Sequence, residues 1–286
     1  MNEPMIHKSI GKLLLEDGQL NLSDIELIEH CQKEQGLRFG EAAVKLGLIS
    51  EADMLQILAR QFDYPYLKPG EGGLNEELIA AFQPFSSQTE AIRSLRTQLT
   101  LRWFDGERKQ LALIGLGTGY GCSLLAANLA IVFSQLGQRA LLIDANLRNP
   151  CQHQLFNLSQ SVGLSELLVG RANTEAICKI PYFANLSVLT AGTLPPNPQE
   201  LLGKSSFKLL LRSLEKQYDV ILLDTPDALV YADTQSIVME TGAALIAMQK
   251  NNTRVSDALS LQTQLADSKT QIVGVVLNEA WSRENS

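Results

Sequence analysis

Three short segments contain residues that could handle a phosphate group. The first, GLGTGYGCS at 115–123, follows an apolar run. Gly117, Gly119 and Gly121 can adopt backbone angles that other residues resist, so their N–H groups could line an anion-binding turn at a helix N-terminus. Ser123 stands where a magnesium-binding hydroxyl is expected, but Cys122 takes the place of the usual phosphate-binding lysine. The segment predicts a phosphate cradle without its main positive charge.

The other two segments each place an aspartate at the end of an apolar run. LLIDANLR contains Asp144, with Arg148 four residues further on, and ILLDTP contains Asp224. An aspartate in this position binds magnesium or its water in a phosphate-binding loop protein. A last apolar run ends in Asn278, a candidate purine contact. We therefore expect Ser123, Asp144 and Asp224 at a metal site, the two aspartates in catalytic roles, and the loop and Asn278 around a nucleotide.

Apolar runs that alternate with helical patterns would position these residues. Near-continuous apolar runs are typical of parallel strands buried on both faces. The alternation predicts an α/β fold, a doubly wound and mostly parallel sheet whose ligands bind at the carboxyl ends of the strands. The predicted strands are 111–115, 140–144, 186–190, 219–224, 243–248 and 272–277, and the predicted helices are 75–104, 122–136, 198–217, 233–241 and 254–267.

An internal repeat precedes this region. Residues 9–32 and 38–61 share glycine at the third place, a second glycine further on, an apolar helical pattern and a final glutamine. Ser23 and Ser50 are predicted helix caps. Each copy is predicted to form two helices. The predicted organisation is a small helical domain at 1–67, a linker at 68–85 containing KPGEGG, and an α/β domain at 86–286.

Composition narrows the possible functions. The 286 residues carry a net charge of -7, which argues against nonspecific nucleic-acid binding. The four cysteines show no CxxC or metal spacing, which favours reduced thiols in a cytosolic protein. The N-terminus has no signal-peptide pattern. Residues 111–133 are uncharged but fit a buried strand, turn and helix better than a membrane span.

Taken together, the ordered segments resemble those of bacterial tyrosine kinases of exopolysaccharide and capsule synthesis, relatives of the MinD/ParA ATPases. Glu90, Arg93 and Arg96 match the ExxRxxR that this family uses for ring assembly, although the triplet could also be a solvated helix face. The repeat fused to such a domain resembles a chain-length-determinant kinase of the EpsG kind. The resemblance implies ATP or ADP with Mg²⁺, a homo-oligomer, and a membrane polysaccharide co-polymerase or export protein as partner. It places the protein in the cytoplasm, at the inner face of the membrane, with no transmembrane segment of its own.

The sequence departs from that family in four places. Cys122 replaces the lysine, Gly117 stands where MinD/ParA relatives have a second lysine, and Asn146 replaces a second aspartate. Relatives usually carry a tyrosine-rich tail, whereas the segment GVVLNEAWSRENS contains no tyrosine and Tyr231 is the last one in the sequence. The first hypothesis is therefore a kinase-like protein with a degenerate catalytic site. The alternatives are an active tyrosine autokinase, with the role of lysine taken elsewhere, and a MinD/ParA-like positioning ATPase.

The repeat itself resembles the MshE N-terminal type of secretion and pilus ATPases, some of which bind cyclic di-GMP. The matching residues are Arg38, Gly40 and Gln61 in the second copy and Gly11 and Gln32 in the first. The first copy has Ser9 where arginine is expected and Glu29 where leucine is expected. Both a helical protein-interaction domain and a cyclic di-GMP site remain open. A second open question is whether the Cys122 thiol, at a helix N-terminus, has a lowered pKa and is reactive.

Overall fold

A computed structural model describes residues 10–62, 64–117, 121–267 and 270–278. The chain divides into two units, Met1–Tyr66 and Leu67–Ser286. Each unit has its own hydrophobic core. Gly119 and Ser9, both singled out from the sequence, lie outside the described residues.

The first unit contains the two-helix repeat. Its helices are α1 (Ile10–Glu16), α2 (Leu22–Gln35), α3 (Phe39–Lys45) and α4 (Glu51–Gln61). Leu14, Ile28, Ala42 and Ile57 lie in a single core cluster with residues from all four helices. The amphipathic pattern of each copy is thus satisfied by burial against the other copy.

The two repeat glycines perform the same packing role in each copy. A side chain on Gly11 would meet Phe39 and Ile25, and one on Gly40 would meet Met54, whose Sδ would be 2.7 Å from its Cβ. Ile25 and Met54 occupy equivalent places in the two copies. Close helix packing therefore explains why glycine recurs at the third place of each copy.

One of the two predicted caps is confirmed. The Ser50 hydroxyl accepts the Asp53 N–H at 3.1 Å, and the Asp53 carboxylate accepts the Ser50 N–H at 3.2 Å, which is a reciprocal capping box before α4. The prediction for Ser23 was wrong, because Asn21 caps α2 by accepting the Asp24 N–H at 3.0 Å. Ser23 lies inside the first turn and bonds to the Asn21 side chain.

The second unit is built on a seven-stranded sheet of order β3-β4-β2-β5-β1-β6-β7. All neighbouring strands are parallel except β3 and β4. Alternate residues of β1 enter opposite cores, Leu111 and Leu113 on one face and Ala112 and Ile114 on the other. This confirms the predicted α/β fold with both faces covered. The strands are β1 (Gln110–Gly115), β2 (Ala140–Asp144), β3 (Cys178–Lys179), β4 (Leu186–Leu189), β5 (Val220–Asp224), β6 (Ala243–Gln249) and β7 (Gln271–Asn278).

Most helices of this unit lie where the periodicity predicts them, but two long predicted helices are interrupted. Stretch 75–104 forms two helices rather than one, and so does 198–217. Two short helices between β2 and β3 gave no periodic signal. No helix in the described ranges is long and apolar enough to cross a membrane. The helices are α5 (Ile79–Phe82), α6 (Ser87–Arg102), α7 (Cys122–Gln135), α8 (Gln152–Leu155), α9 (Leu164–Leu168), a 3₁₀ turn (Thr174–Ala176), α10 (Pro198–Leu202), α11 (Ser205–Leu214), α12 (Asp233–Thr241) and α13 (Val255–Asp267).

The segment predicted as a linker, 68–85, belongs instead to the second unit. Its backbone is held at Asn75, whose N–H donates to the Leu155 carbonyl at 2.9 Å. Asn128 of α7 accepts the Ala80 N–H at 2.9 Å. Apolar side chains of the segment are buried in the core beside α7, among them Leu74, Leu78, Ile79 and Phe82. The glycines of KPGEGG form turns and do not separate two domains.

Candidate phosphate-binding site

The glycine-rich segment connects β1 to α7, as the sequence predicts. Gly117 and Gly121 have positive φ angles of 108° and 66°, a region that favours glycine. Gly121 is the residue before α7, and its carbonyl accepts the Leu125 N–H at 2.8 Å. The Gly117 N–H donates to Oδ1 of Asp227 at 3.0 Å. A carboxylate therefore already bonds to one of the amides expected to face a phosphate.

The strand register brings the two predicted aspartates together. Asp144 at the end of β2 is directly opposite Asp224 at the end of β5. Both side chains are fully buried. Their placement follows from the parallel sheet, because neighbouring parallel strands end at the same edge.

Asp144 is held by backbone amides. Its Oδ2 accepts the N–H groups of Cys151 and Gln152 at 3.1 and 3.0 Å, and its Oδ1 accepts the Asn146 N–H at 3.3 Å. The Asn146 amide donates to the Asn149 carbonyl at 3.0 Å. Asn146 therefore stabilises the loop after β2.

Gln152 connects the second aspartate to α7. Its Nε2 donates to Oδ2 of Asp224 at 2.8 Å and to the Ser123 carbonyl at 3.0 Å. Gln152 is fully buried. The site thus contains an amide donor that the sequence patterns did not identify.

Burial disfavours charge on both aspartates. It raises the pKa of Asp144 well above the usual value, and the nearby Asp224 charge adds to this shift while the backbone hydrogen bonds oppose it. Burial also raises the pKa of Asp224 from 3.8 to about 6, against the hydrogen bonds from Gln152 and Ser123. No positively charged side chain is among the causes that shift either pKa, so burial is not offset by a nearby cation.

The cysteine at the lysine position is a neutral thiol. Burial, and to a smaller extent the Asp224 charge, raises the pKa of Cys122 well above the ordinary value. The lowered pKa considered from the sequence was therefore wrong, because loss of hydration outweighs the helix N-terminus. Cys151 lines the same cavity, and burial raises its pKa to about 12.

A cavity of about 650 Å³ opens over the loop and the strand ends. Six of the residues singled out from the sequence meet in its lining, namely Gly117, Gly121, Cys122, Ser123, Asn146 and Asn278. Within the described ranges no lysine, arginine or histidine lines it, whereas the carboxylates of Glu77 and Asp227 do.

The two arginines nearest in sequence to β2 are engaged elsewhere. Arg148 bonds to Asp233 through Nε at 2.6 Å, and its guanidinium lies 4.3 Å from the centre of the Tyr231 ring. Arg139 pairs with Asp219 at 2.6 Å, next to the start of β5. Neither is among the residues that line the cavity.

The predicted metal ligands fit a magnesium ion poorly. Mg²⁺ requires hard oxygen ligands in near-octahedral geometry. Three of the four carboxylate oxygens of Asp144 and Asp224 accept hydrogen bonds, and only Oδ1 of Asp224 has no partner in the described structure. No group of three His, Cys, Asp or Glu residues in the described ranges is arranged to hold a metal.

The ExxRxxR triplet lies on α6. Glu90 and Arg93 form an i,i+3 pair at 3.2 Å, with Glu90 exposed. Arg96 donates through Nη1 to the Val132 carbonyl near the end of α7 at 2.9 Å. All three residues thus have contacts within the chain.

The candidate cyclic di-GMP residues lie in the first unit. Gly11 and Gly40 are explained by helix packing, as described above. Gln32 Nε2 donates to the Leu37 carbonyl at 3.3 Å, and Gln61 ends α4. Arg38 precedes α3, and its N–H donates to the Glu41 carboxylate at 2.9 Å.

Sequence patterns missed Gln152 and Asp227. Asp227 follows Asp224 by three residues in DTPD, and its closeness to a strand-end aspartate could have marked it as a site residue. Gln152 begins a four-residue helix that is too short for periodicity to reveal.

The parallel sheet, the glycine turn before α7 and the paired strand-end aspartates define a P-loop protein. A family model, cellulose biosynthesis protein BcsQ, matches residues 108–274. Tyrosine-protein kinase YwqD of Bacillus subtilis (strain 168) is 33% identical over 205 residues, covering 72% of this chain and 86% of YwqD.

Solved structures agree. The kinase domain of the Escherichia coli tyrosine kinase ETK is 30% identical, with a TM-score of 0.68, and the match covers 73% of this chain and 82% of that one. MinD from Pyrococcus horikoshii, complexed with Mg-ADP, shares the fold at 21% identity, with a TM-score of 0.53 over 62% of this chain and 72% of that one. The chain belongs to the P-loop family that comprises BcsQ and the bacterial tyrosine-protein kinases.

Proposed function

We propose that this protein is a kinase-like member of its family that has lost most phosphoryl-transfer activity and serves exopolysaccharide or capsule biosynthesis and chain-length control. Its relatives carry the names of tyrosine kinases, and the matching family model is named for cellulose biosynthesis.

The observation that carries the proposal is the charge of the cavity. Cys122 is neutral, the Gly117 N–H is bonded to Asp227, and no cationic side chain in the described ranges lines the cavity. A preorganised charge on a transferring phosphoryl group is worth roughly 3–4 kcal/mol in the transition state, or about 10²–10³ in rate. Bringing a nucleotide polyphosphate against Glu77 and Asp227 adds repulsion.

An active autokinase is the competing interpretation. Asp144, Asp224 and Ser123 are retained, so another residue or a partner subunit could supply the missing charge. The Asp227 bond to Gly117 argues against this, because a phosphate at that amide must first displace a carboxylate. A positioning ATPase of the MinD/ParA kind has no support beyond the shared fold.

We further propose that the protein acts as a homo-oligomer at the inner face of the membrane, through a polysaccharide co-polymerase or export protein. Glu90 on α6 is exposed, so a neighbouring copy could reach its carboxylate even though that carboxylate pairs with Arg93. The first unit is proposed as a protein-interaction unit. Packing accounts for both of its glycines, so they give no independent sign of a cyclic di-GMP site.

Titration of the purified full chain with ADP and ATP in the presence of Mg²⁺ tests the proposal. The native protein should bind at least about 100-fold more weakly than Cys122→Lys, because the variant restores a charge in the cavity. Cys178→Lys is the matched control, since it adds the same charge on the edge strand β3, outside the cavity.

Two results would contradict the proposal. One is micromolar binding of ATP by the native chain. The other is phosphotyrosine formed by the native chain with ATP and Mg²⁺ and lost in Asp224→Ala.

A further inference from the structure

Gln152 occupies a position that the proposed loss of lysine does not explain. Its side chain is fully buried between the strand-end aspartates and the first turn of α7. Nε2 contacts Oδ2 of Asp224 at 2.8 Å and the Ser123 carbonyl at 3.0 Å. Both partners are acceptors, so the amide must present its N–H₂ to them and not its oxygen.

This contact changes what Asp224 can bind. An amide N–H₂ offers two hydrogens and no lone pair for a metal, and it satisfies the carboxylate oxygen that it contacts. The other hydrogen binds a backbone carbonyl of the helix that carries Ser123. A divalent ion bound through Oδ2 of Asp224 would have to displace this N–H₂ and leave one of its hydrogens without an acceptor in a buried site, which is costly. Of the four carboxylate oxygens of Asp144 and Asp224, only Oδ1 of Asp224 is then left without a hydrogen bond in the described structure.

We infer that Gln152 is a specificity-determining residue that weakens divalent-cation binding at Asp224, because its amide occupies Oδ2 of Asp224 while it is anchored on the Ser123 carbonyl. The inference rests on the proposed function, which assigns the loss of positive charge to Cys122. It adds a second change at the same site, the loss of a cation ligand at Asp224. Replacing Cys122 by lysine therefore restores phosphate binding without restoring dependence on Mg²⁺.

The neighbouring contacts support this assignment. Backbone N–H groups of Cys151 and Gln152 hold Asp144, so the backbone that carries the Gln152 side chain is fixed against the aspartate pair. Oδ1 of Asp224 and Oε1 of Gln152 are buried without partners in the described structure. Replacing the amide by a group that is an acceptor only would leave several oxygens facing each other, which is the environment that a divalent cation requires.

The first experiment measures metal binding without a nucleotide. Mn²⁺ is titrated into full-length native protein and Gln152→Glu, with free Mn²⁺ followed by electron paramagnetic resonance. The substitution keeps the shape of the side chain and turns its donor into a carboxylate beside Asp224. Gln152→Glu should bind Mn²⁺ at least about tenfold more tightly than the native protein. Equal affinities would overturn the inference.

The second experiment tests the cation dependence of nucleotide binding. ADP affinity is measured with Mg²⁺ and with EDTA for Cys122→Lys and for Cys122→Lys combined with Gln152→Met. The single variant should show less than about a twofold difference, and the double variant about tenfold or more. Cys122→Lys combined with Gln199→Met is the matched control, because Gln199 is exposed on α10 and is not among the residues that line the cavity.

The outcomes separate the two proposals. Tight, Mg²⁺-independent ADP binding by the native chain contradicts the proposed function and leaves the role of Gln152 intact. Strong Mg²⁺ dependence in Cys122→Lys alone contradicts the role of Gln152 and leaves the proposed function intact. If Gln152→Met does not fold, as judged by thermal unfolding, the Mn²⁺ titration of Gln152→Glu decides alone.

Discussion

Asp224 has a measurable effect on the pH dependence of stability. Burial raises its pKa from 3.8 to about 6, so the folded protein holds a proton that the unfolded chain releases. Stability therefore falls as pH rises between about 4 and 6, and the loss persists at higher pH. The shift corresponds to something on the order of 3 kcal/mol.

We expect Asp224→Asn to remove this dependence. The free energy of unfolding of the variant minus that of the native protein should grow between about pH 4 and 6 and then stay constant, as measured by urea unfolding at several pH values. Asp105→Asn is a control of opposite sign, because hydrogen bonding to Arg108 lowers the pKa of Asp105 to about 2. If Asp224→Asn keeps the pH profile of the native protein, ionisation of Asp224 does not lower the stability of the folded state, and the prediction is wrong.

At the scale of single residues, the sequence identified the strand ends better than the environments around them. Asp144 and Asp224 were predictable because apolar runs end in polar residues where parallel strands reach the sheet edge. The state of Cys122 was not, because its pKa depends on burial that comes from α7, β1 and the loop after β2. Gln152 was not predictable either, since its contacts lie 29 and 72 residues away in sequence.

At the scale of elements, a buried side chain of α7 helps to hold the segment before α6. Asn128 of α7 accepts the Ala80 N–H at 2.9 Å and donates to the carbonyls of Leu124 and Glu77 at 3.0 and 3.3 Å. Asn128 is fully buried, so water does not replace these bonds without rearrangement.

We expect Asn128→Ala to destabilise the second unit by about 1–3 kcal/mol, since a buried N–H loses its acceptor. Hydrogen exchange should accelerate most at residues 77–82. Ser213→Ala is a suitable control, because this exposed hydroxyl donates only to the Leu210 carbonyl of its own helix. Unchanged protection of the Ala80 amide in Asn128→Ala would contradict the role of this contact.

Some elements are too short to be predicted from the periodicity of the sequence. Six predicted strands are present because their apolar runs are long enough to recognise. Burial on both faces fails for the last of them, because β7 is an edge strand on which Val275 and Leu277 are exposed. The two-residue β3 and the four-residue α5 and α8 are too short to show any period. Segment 68–85 was interpreted as a linker because its glycines break both periodicities, although the apolar residues after them are buried.

At the scale of the whole molecule, the cores determine which parts of the chain fold together. The core of the first unit draws on residues 10–57, and the first of the two cores of the second unit begins at Leu67. The Leu67 N–H donates to the Ala81 carbonyl at 2.8 Å, which closes segment 67–81 upon itself. We therefore expect the boundary that matters for folding to lie at residue 67 and not at 86.

Two fragments test this boundary. Residues 67–286 should fold without the first unit and unfold in one cooperative transition, followed by circular dichroism. Residues 86–286 should be less stable by several kcal/mol, or about 10 °C or more in Tm, because Leu78, Ile79 and Phe82 no longer cover α7 and burial of each such side chain is worth roughly 1.5–3 kcal/mol. Equal stability of the two fragments would mean that segment 67–85 is a linker after all. A fragment 67–286 that does not fold would mean that the second unit requires the first, although each has a separate core.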